Sequence, residues 1–110
     1  MRADLEIIQE WIPAGSRVLD LGCGNGELLA WLTEHKQVSG YGLEIDADNI
    51  AQCVSKGVNV IEQNLDKGLN NFASSSFDVV VMTQSLQALH YPDRVLAEML
   101  RVGKTCIITF

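Results

Sequence analysis

The 110-residue sequence has few basic residues and no cluster of them. Eight lysines and arginines stand against fourteen aspartates and glutamates, which gives a formal net charge of −6. Because lysine and arginine hold a nucleic-acid backbone, this balance disfavours a nucleic-acid partner. No apolar run approaches the ~18 residues that a membrane helix needs, and no signal-peptide pattern is present, so we expect no membrane association.

Cysteine is also scarce, and its spacing excludes two common uses. The three cysteines, Cys23, Cys53 and Cys106, are far apart and form no C-x-x-C pair. An odd number at such spacing indicates reduced thiols and a cytoplasmic location rather than disulfides or a zinc site. With 47% apolar and 20% charged residues, the composition predicts one globular domain over residues 1–110.

The most informative segment is RVLDLGCGNG, residues 17–26. Its apolar residues predict a buried parallel strand, and the alternating glycines Gly22, Gly24 and Gly26 predict a turn into the following helix. Glycine accepts backbone angles closed to other residues and has no side chain to keep a ligand away. We therefore expect a ligand to lie on this loop, with the start of the helix favouring an anionic group.

The glycine spacing separates two ligand classes. A dinucleotide fingerprint, G-x-G-x-x-G, would need its third glycine at position 27, which is Glu27. The pattern that begins at Asp20 instead resembles motif I of the class I S-adenosylmethionine (SAM) dependent methyltransferases, D/E-x-G-x-G-x-G. The resemblance implies that the loop lies against the methionyl and ribose parts of SAM.

An acidic residue at the end of the second predicted strand, VSGYGLEID, supports a nucleoside ligand. Glu44 lies 20 residues after Gly24, a spacing at which a carboxylate meets both hydroxyls of a ribose. The same charge disfavours a 2′-phosphate. Ile45 would then pack on the adenine ring.

Apolar periodicity predicts strands alternating with helices along the whole chain. The first helix should span about residues 2–12 and bury Leu5, Ile8, Trp11 and Ile12. A later helix, capped by Asp46 or Asp48 and stopped by Gly57, should bury Ile50, Cys53 and Val54, and one opening at Pro92 carries Val95, Leu96, Met99 and Leu100. Such alternation predicts an α/β, doubly wound, Rossmann-like parallel sheet of order 3-2-1-4-5.

Two further loops are expected to complete the site. In the related methyltransferases the loop after strand 3 commonly carries an acid that meets the adenine amino group. Here Asn64 is expected at that position in place of the usual Asp, with Asp66 as the competing candidate and Leu65 between them. The end of strand 4 lies at the topological switch point, so Thr83, Gln84 and Ser85 should face the sulfonium end of SAM. The predicted cofactor contacts are Asp20, Gly22, Cys23, Gly24, Gly26, Glu44, Ile45, Asn64, Leu65 and Gln84.

Across its length the sequence resembles the MetW family, the methionine-biosynthesis W proteins. The matching segments are RVLDLGCGNGELLAWL, GYGLEIDADNIAQCVSKGVNVIEQNLDKGL, SFDVVVMTQSLQAL and PDRVLAEMLRVGK. The resemblance implies SAM binding and an association with homoserine O-acyltransferase. It also implies that a class I methyltransferase core continues beyond strand 5, so we expect a truncated domain whose strand 5 edge pairs with a second copy or is covered by the chain's own terminal segment.

Two functions from different classes follow. The first is transfer of a methyl group from SAM to an acceptor, in which the protein mainly aligns the two reactants. The second is a non-catalytic SAM-fold subunit that supports homoserine O-acyltransferase.

Overall fold

Five parallel strands form a single sheet in the order β3-β2-β1-β4-β5, which confirms the predicted topology. The computed structural model describes residues 1–110. The elements, in chain order, are α1 (Ala3–Glu10), β1 (Arg17–Leu21), α2 (Glu27–Lys36), β2 (Ser39–Glu44), α3 (Ala47–Ser55), β3 (Val60–Glu62), β4 (Phe77–Thr83), α4 (Pro92–Val102) and β5 (Gly103–Thr109).

The two central strands explain why the apolar runs in the sequence are continuous. In β1 the residues from Val18 to Leu21 are all buried, and in β4 the residues from Val79 to Met82 are buried as well. A parallel strand covered on both faces needs apolar side chains at consecutive positions. Asp20 is the exception within β1, and its burial has consequences for the site.

Two apolar layers cover the sheet, one on each face. The first layer joins α1 and α2 to the sheet and includes Leu5, Leu28, Val18 and Val79. The second joins α4 to the opposite face. Its buried members are Leu19, Leu21, Leu43, Leu65, Leu69, Phe77, Val80, Met82, Val95, Met99 and Val102. The layer under α1 ends at the glycine loop, so α1 lies beside the predicted ligand site.

Three residues that fit the apolar spacing of their helices are exposed. Trp11 is 58% exposed because α1 ends at Glu10 and Trp11 only caps it. Val54 and Leu100 are 65% and 73% exposed. Both lie near the ends of their helices, where only one of two adjacent apolar residues can face the sheet.

The predicted caps of α3 are present. The Asp46 side chain accepts a hydrogen bond from the Asn49 amide at 2.9 Å, which makes Asp46 the N-cap in place of the alternative Asp48. Gly57 follows the helix with a φ of +74°. None of the helices has the length and hydrophobicity of a membrane span, and all three cysteines are free thiols.

Candidate functional site

The three loop glycines all have left-handed backbones, but each is glycine for a different reason. Their φ angles are +71° at Gly22, +57° at Gly24 and +83° at Gly26. A Cβ on Gly22 would lie 2.6 Å from Ser85 Oγ, and one on Gly26 would lie 2.9 Å from Cys53 Sγ. A Cβ on Gly24 would meet no atom within 4 Å. Gly24 therefore faces open space where a ligand can approach the main chain.

The loop is fastened to the end of β2 by its own amides. The amides of Gly22 and Cys23 donate to the Leu43 carbonyl at 2.8 and 3.0 Å. The Gly24 amide donates to Glu44 Oε1 at 2.9 Å. This arrangement holds Glu44 next to the glycine loop, as its spacing from Gly24 in the sequence suggests.

Two amides at the start of α2 are also bonded within the protein. The Gly26 amide donates to the Cys23 carbonyl at 3.1 Å, and the Glu27 amide donates to Asn25 Oδ1 at 3.1 Å. A phosphate bound at a helix start needs such amides free. The Gly26 and Glu27 amides are therefore not available to an anionic group, and the expectation that this loop favours one stays a prediction.

Two cavities lie on either side of Gly22. The first has a volume of about 290 Å³ and lies on the α1 side of the sheet; it is lined by Arg2, Leu5, Asp20, Gly22, Cys23, Gly24, Asn25, Glu27, Leu28, Asn49 and Thr83. The second has a volume of about 260 Å³; it is lined by Gly22, Leu43, Glu44, Ile45, Gln63, Asn64, Leu65, Asp66, Ser85, Ala88 and Leu89.

Eight of the ten predicted contact residues line these cavities. Gly26 and Gln84 line neither. Gly26 allows close packing of the loop on α3 instead, and the Gln84 side chain donates to Asp4 Oδ2 at 3.4 Å. Arg2, Leu5 and Asn49 are lining residues that the sequence did not indicate, because no periodic pattern connects them to the glycine loop.

The Glu44 carboxylate has ordered surroundings and spare acceptor capacity. Its Oε2 accepts from the amides of Ile45 and Asp46 at 3.2 and 3.0 Å, in addition to the Gly24 bond at Oε1. An ionised carboxylate offers about four acceptor positions. It can therefore hold the loop and still accept from a ligand hydroxyl.

Replacing Glu44 with alanine should weaken nucleoside binding by roughly 1.5–3 kcal/mol, because a charge-assisted hydrogen bond to a ribose hydroxyl is lost. Glu62→Ala is a matched control, since Glu62 pairs in register with Glu44 on β3 and lines neither cavity. Calorimetric titration of both variants with S-adenosylhomocysteine measures the difference. Equal affinities in the two variants would remove Glu44 from the site.

Asp20 is a buried acid with an unpaired oxygen. It is 2% exposed, and its Oδ1 has no hydrogen-bond partner. Burial, and to a smaller extent the charge of Glu44, raise the pKa of Asp20 to about 7 against the opposing charge of Arg2. A buried orphan acceptor that lines a cavity is suited to a ligand that donates hydrogen bonds.

This pKa shift should appear as a pH dependence of stability. The folded state holds the Asp20 proton up to about pH 7, whereas an unfolded chain releases it near pH 3.8. Between these values the unfolding free energy should fall as pH rises, by about 4 kcal/mol in total from this group. Urea unfolding of wild type and Asp20→Asn at pH 5 and pH 8 measures it, with the exposed Asp48→Asn as control. Parallel pH slopes in wild type and Asp20→Asn would contradict the assignment.

The structure separates the roles of Asn64 and Asp66. Asp66 accepts from the backbone amides of His90 and Tyr91 at 2.9–3.1 Å, and these bonds lower its pKa. It thereby fastens the loop after β4 to the wall of the second cavity. The Asn64 side chain accepts only from the Asp66 amide, at 3.0 Å. This leaves its amide nitrogen free for a ligand.

Cys23 and Cys53 are in contact, with their sulfurs 3.7 Å apart. Burial raises the pKa of both thiols. A thiol held in its neutral form is a poor nucleophile. Cys23 therefore contributes a small side chain to the loop rather than a reactive group.

A family model described as "Methionine biosynthesis protein MetW" matches residues 2–110. The chain belongs to the MetW family. The bifunctional methionine biosynthesis protein MetXA/MetW of Rhodopirellula baltica is 41% identical over 118 aligned residues, which cover all of this chain and 19% of that protein. The mitochondrial ubiquinone biosynthesis O-methyltransferase of Candida albicans is 33% identical over 76% of this chain and 28% of that protein.

Solved structures share the fold. A SAM-dependent methyltransferase from Archaeoglobus fulgidus superposes with a TM-score of 0.81 at 26% identity, over 93% of this MetW-family chain and 46% of that one. The [4+2]-cyclase SpnF superposes with a TM-score of 0.79 at 24% identity, over 91% of this chain and 40% of that one, a likeness of fold alone. The chain spans less than a third of its two sequence relatives and less than half of these two structures.

Proposed function

We propose that the two cavities together bind SAM, with its methionyl end in the first cavity and its adenosine in the second. The observation that carries this proposal is the position of Glu44, whose carboxylate is bonded to the Gly24 amide and lines the second cavity beside Gly22. A ribose bridging the two cavities would place its hydroxyls against that carboxylate. The orphan Asp20 Oδ1 supports the proposal, because it would accept from the ammonium group of the methionyl end.

NAD fits this site less well than SAM. The pyrophosphate of a dinucleotide needs free amides at the glycine loop and the helix start. Five of those amides donate to protein acceptors here. The charge of Glu44 beside the loop would also repel a phosphate.

We propose methyl transfer as the reaction of the whole protein. Bound SAM supplies an already activated, cationic methyl group. The residues of this chain need only bind it, orient it and exclude water, so alignment of the acceptor can supply most of the rate enhancement. The hydroxyls of Thr83 and Ser85 lie at the end of β4, where the two cavities meet at Gly22.

A non-catalytic role is the second candidate, and one observation favours it. The name of the R. baltica relative joins MetXA and MetW in one bifunctional protein. We propose on this ground that the partner of this chain is a homoserine O-acyltransferase in the cytoplasm. A fold does not decide between the two candidates, since one protein with this fold is a [4+2]-cyclase.

One experiment separates the two functions. The full-length protein is incubated with methyl-labelled SAM and a metabolite extract. In a parallel reaction, the protein is added to a homoserine O-acyltransferase and the acyltransferase rate is measured. Label transferred to an extract component, and lost in Gly24→Val, supports the enzyme. An acyltransferase rate that rises with the protein while no label moves supports the accessory subunit.

The outer edge of β5 supports a further association. β5 is the last strand of the sheet, so the backbone groups on its outer side have no strand partner. Its central residues Cys106, Ile107 and Ile108 are at least partly buried and carry no charge. Such an edge readily pairs with another strand. We propose pairing with a second copy, which light scattering over a hundredfold concentration range tests; a strictly monomeric protein would contradict it.

A further inference from the structure

Two thiols are in contact beside the glycine loop. The sulfurs of Cys23, in the loop, and Cys53, in α3, are 3.7 Å apart in a buried contact. Cys53 is fully buried, whereas Cys23 is 9% exposed and lines the first cavity. Two bonded sulfurs are only about 2.05 Å apart. The pair is therefore unbonded, and a movement of about 1.7 Å would join the two sulfurs.

The main chain around the pair keeps the two sulfurs together. A Cβ on Gly42 would lie 2.4 Å from Cys23 Sγ, and one on Gly26 would lie 2.9 Å from Cys53 Sγ. The backbones of β2 and of the glycine loop thus pack directly on the two sulfurs. Because protein interiors are close-packed, the thiol side chains have little room to turn away from each other.

The thiols also hold the residue on which a ligand would lie. The Cys53 thiol donates to the Gly24 carbonyl at 3.3 Å, and Cys23 Sγ lies 3.7 Å from the same oxygen. The Gly24 amide donates to Glu44 Oε1 on its other side. A disulfide has no S–H group, so its formation would remove both donors from the Gly24 carbonyl and would draw Cys23 toward α3.

We propose that Cys23 and Cys53 are a modification site, at which oxidation forms a disulfide that distorts the glycine loop and lowers its affinity for the ligand. This inference rests on the proposed SAM site and adds to it a control by oxidation. It also suits the cytoplasmic location proposed above, because the disulfides that form there are usually transient and redox-sensing.

A small peroxide, such as hydrogen peroxide, is the oxidant. It reaches Cys23 through the first cavity, and the Cys23 thiolate attacks one peroxide oxygen while the O–O bond breaks. Hydroxide leaves and combines with the thiol proton as water, which gives a sulfenic acid. The Cys53 sulfur then attacks the Cys23 sulfur, the S–O bond breaks, and the leaving hydroxide takes the Cys53 proton as a second water. Two thiols are thereby oxidised to a disulfide, and the peroxide is reduced to two waters.

Burial makes this reaction slow. It raises the pKa of both thiols, so little of the reactive thiolate is present near pH 7. The thiols therefore survive a brief exposure to the oxidant, and the disulfide accumulates only under prolonged oxidation.

The test compares reduced and peroxide-treated samples of the full-length wild-type protein. Mass spectrometry of its peptides identifies which cysteines are joined, and calorimetric titration with S-adenosylhomocysteine measures the affinity. We expect a cross-link between Cys23 and Cys53 and about tenfold weaker binding, because the Gly24 carbonyl loses its donor. Dithiothreitol should restore both the thiols and the affinity.

Two serine variants serve as controls. Cys53→Ser keeps a hydroxyl beside the Gly24 carbonyl but cannot form the cross-link, so peroxide should change its affinity by less than twofold. Cys106→Ser removes the free thiol of β5 and leaves the pair intact, so its affinity should fall as that of the wild type does. Circular dichroism shows whether each variant is folded. Cys23→Ser, compared with its own reduced sample, replaces Cys53→Ser if that variant does not fold.

The outcomes are distinct. Absence of a cross-link between Cys23 and Cys53 after prolonged peroxide treatment overturns this inference and leaves the proposed SAM site standing. A cross-link without a change in affinity, or an equal loss of affinity in Cys53→Ser, also overturns it. Failure of the reduced wild-type protein to bind S-adenosylhomocysteine overturns the proposed function, and with it the control of binding by this pair.

Discussion

The substitution Gly40→Ala should leave most of the protein unfolded. Gly40 lies in β2 opposite Val18 of β1 with a φ of +138°, and a Cβ there would lie 1.8 Å from the Val18 carbonyl oxygen. The main chain of a central strand would have to move, which breaks the β1–β2 pairing that carries the site. Total stabilities of domains are only about 5–15 kcal/mol. Circular dichroism with urea unfolding measures the loss.

The control for this change is Gly15→Ala. Gly15 has a φ of +77°, and no atom lies within 4 Å of the position that an alanine methyl group would take there, so only the left-handed backbone is strained. The substitution should cost about 1–2 kcal/mol and leave the fold intact. If Gly40→Ala unfolds at the same urea concentration as Gly15→Ala, the close approach of β1 and β2 is not what requires glycine.

Gly24→Val should abolish SAM binding while the protein remains folded. Gly24 lines the first cavity, and open space lies where its side chain would be. A branched side chain would fill that space and resist the positive φ of +57°. Titration with SAM, beside a urea unfolding curve of the same sample, separates lost binding from lost folding.

Gly57→Val is a close match for this variant. Gly57 also has a positive φ and no atom within 4 Å of a Cβ, but it lines neither of the two cavities at the glycine loop. Gly24→Val and Gly57→Val should lower the free energy of unfolding by similar amounts. Only Gly24→Val should prevent SAM binding. Wild-type affinity in a folded Gly24→Val protein would mean that the loop is a turn and no more.

The sequence predicts the sheet well because each strand is indicated by residues that are adjacent in the sequence. Buried parallel strands need continuous apolar residues, and β1 and β4 show this pattern clearly. The alternation of strands and helices, with right-handed crossovers, then leaves few arrangements of the sheet. The loop is predicted in the same way, because a glycine stands at each of its positions with a positive φ.

Periodicity is less informative at the ends of helices. Trp11 fits the apolar spacing of α1, yet the helix ends one residue earlier and the indole lies at the surface. Met99 and Leu100 are neighbours in α4 that both fit its apolar spacing, and Met99 is buried while Leu100 is exposed. Which of two adjacent apolar residues is buried depends on how the helix is rotated against the sheet. The apolar spacing does not determine this rotation.

The remaining details of the site depend on contacts between distant parts of the chain. Asp4 and Gln84 are 80 residues apart, and their contact turns Gln84 away from both cavities. Asp66 competes with Asn64 in the sequence, and the bonds of Asp66 to the His90 and Tyr91 amides become visible only in the fold. Arg2 precedes the first helix and has no sequence pattern at all. Such contacts follow from the assembled fold and not from spacing.

Binding of SAM in the cavities at the glycine loop is the inference on which the proposed methyl transfer depends, and calorimetric titration of the full-length protein measures it. Parallel titrations with SAM, S-adenosylhomocysteine and NAD use the same protein sample. We expect saturable binding of one molecule of SAM or S-adenosylhomocysteine per chain, and no measurable binding of NAD. Binding of NAD in place of the two adenosyl compounds, or of none of the three, would show that the glycine loop is not a SAM site.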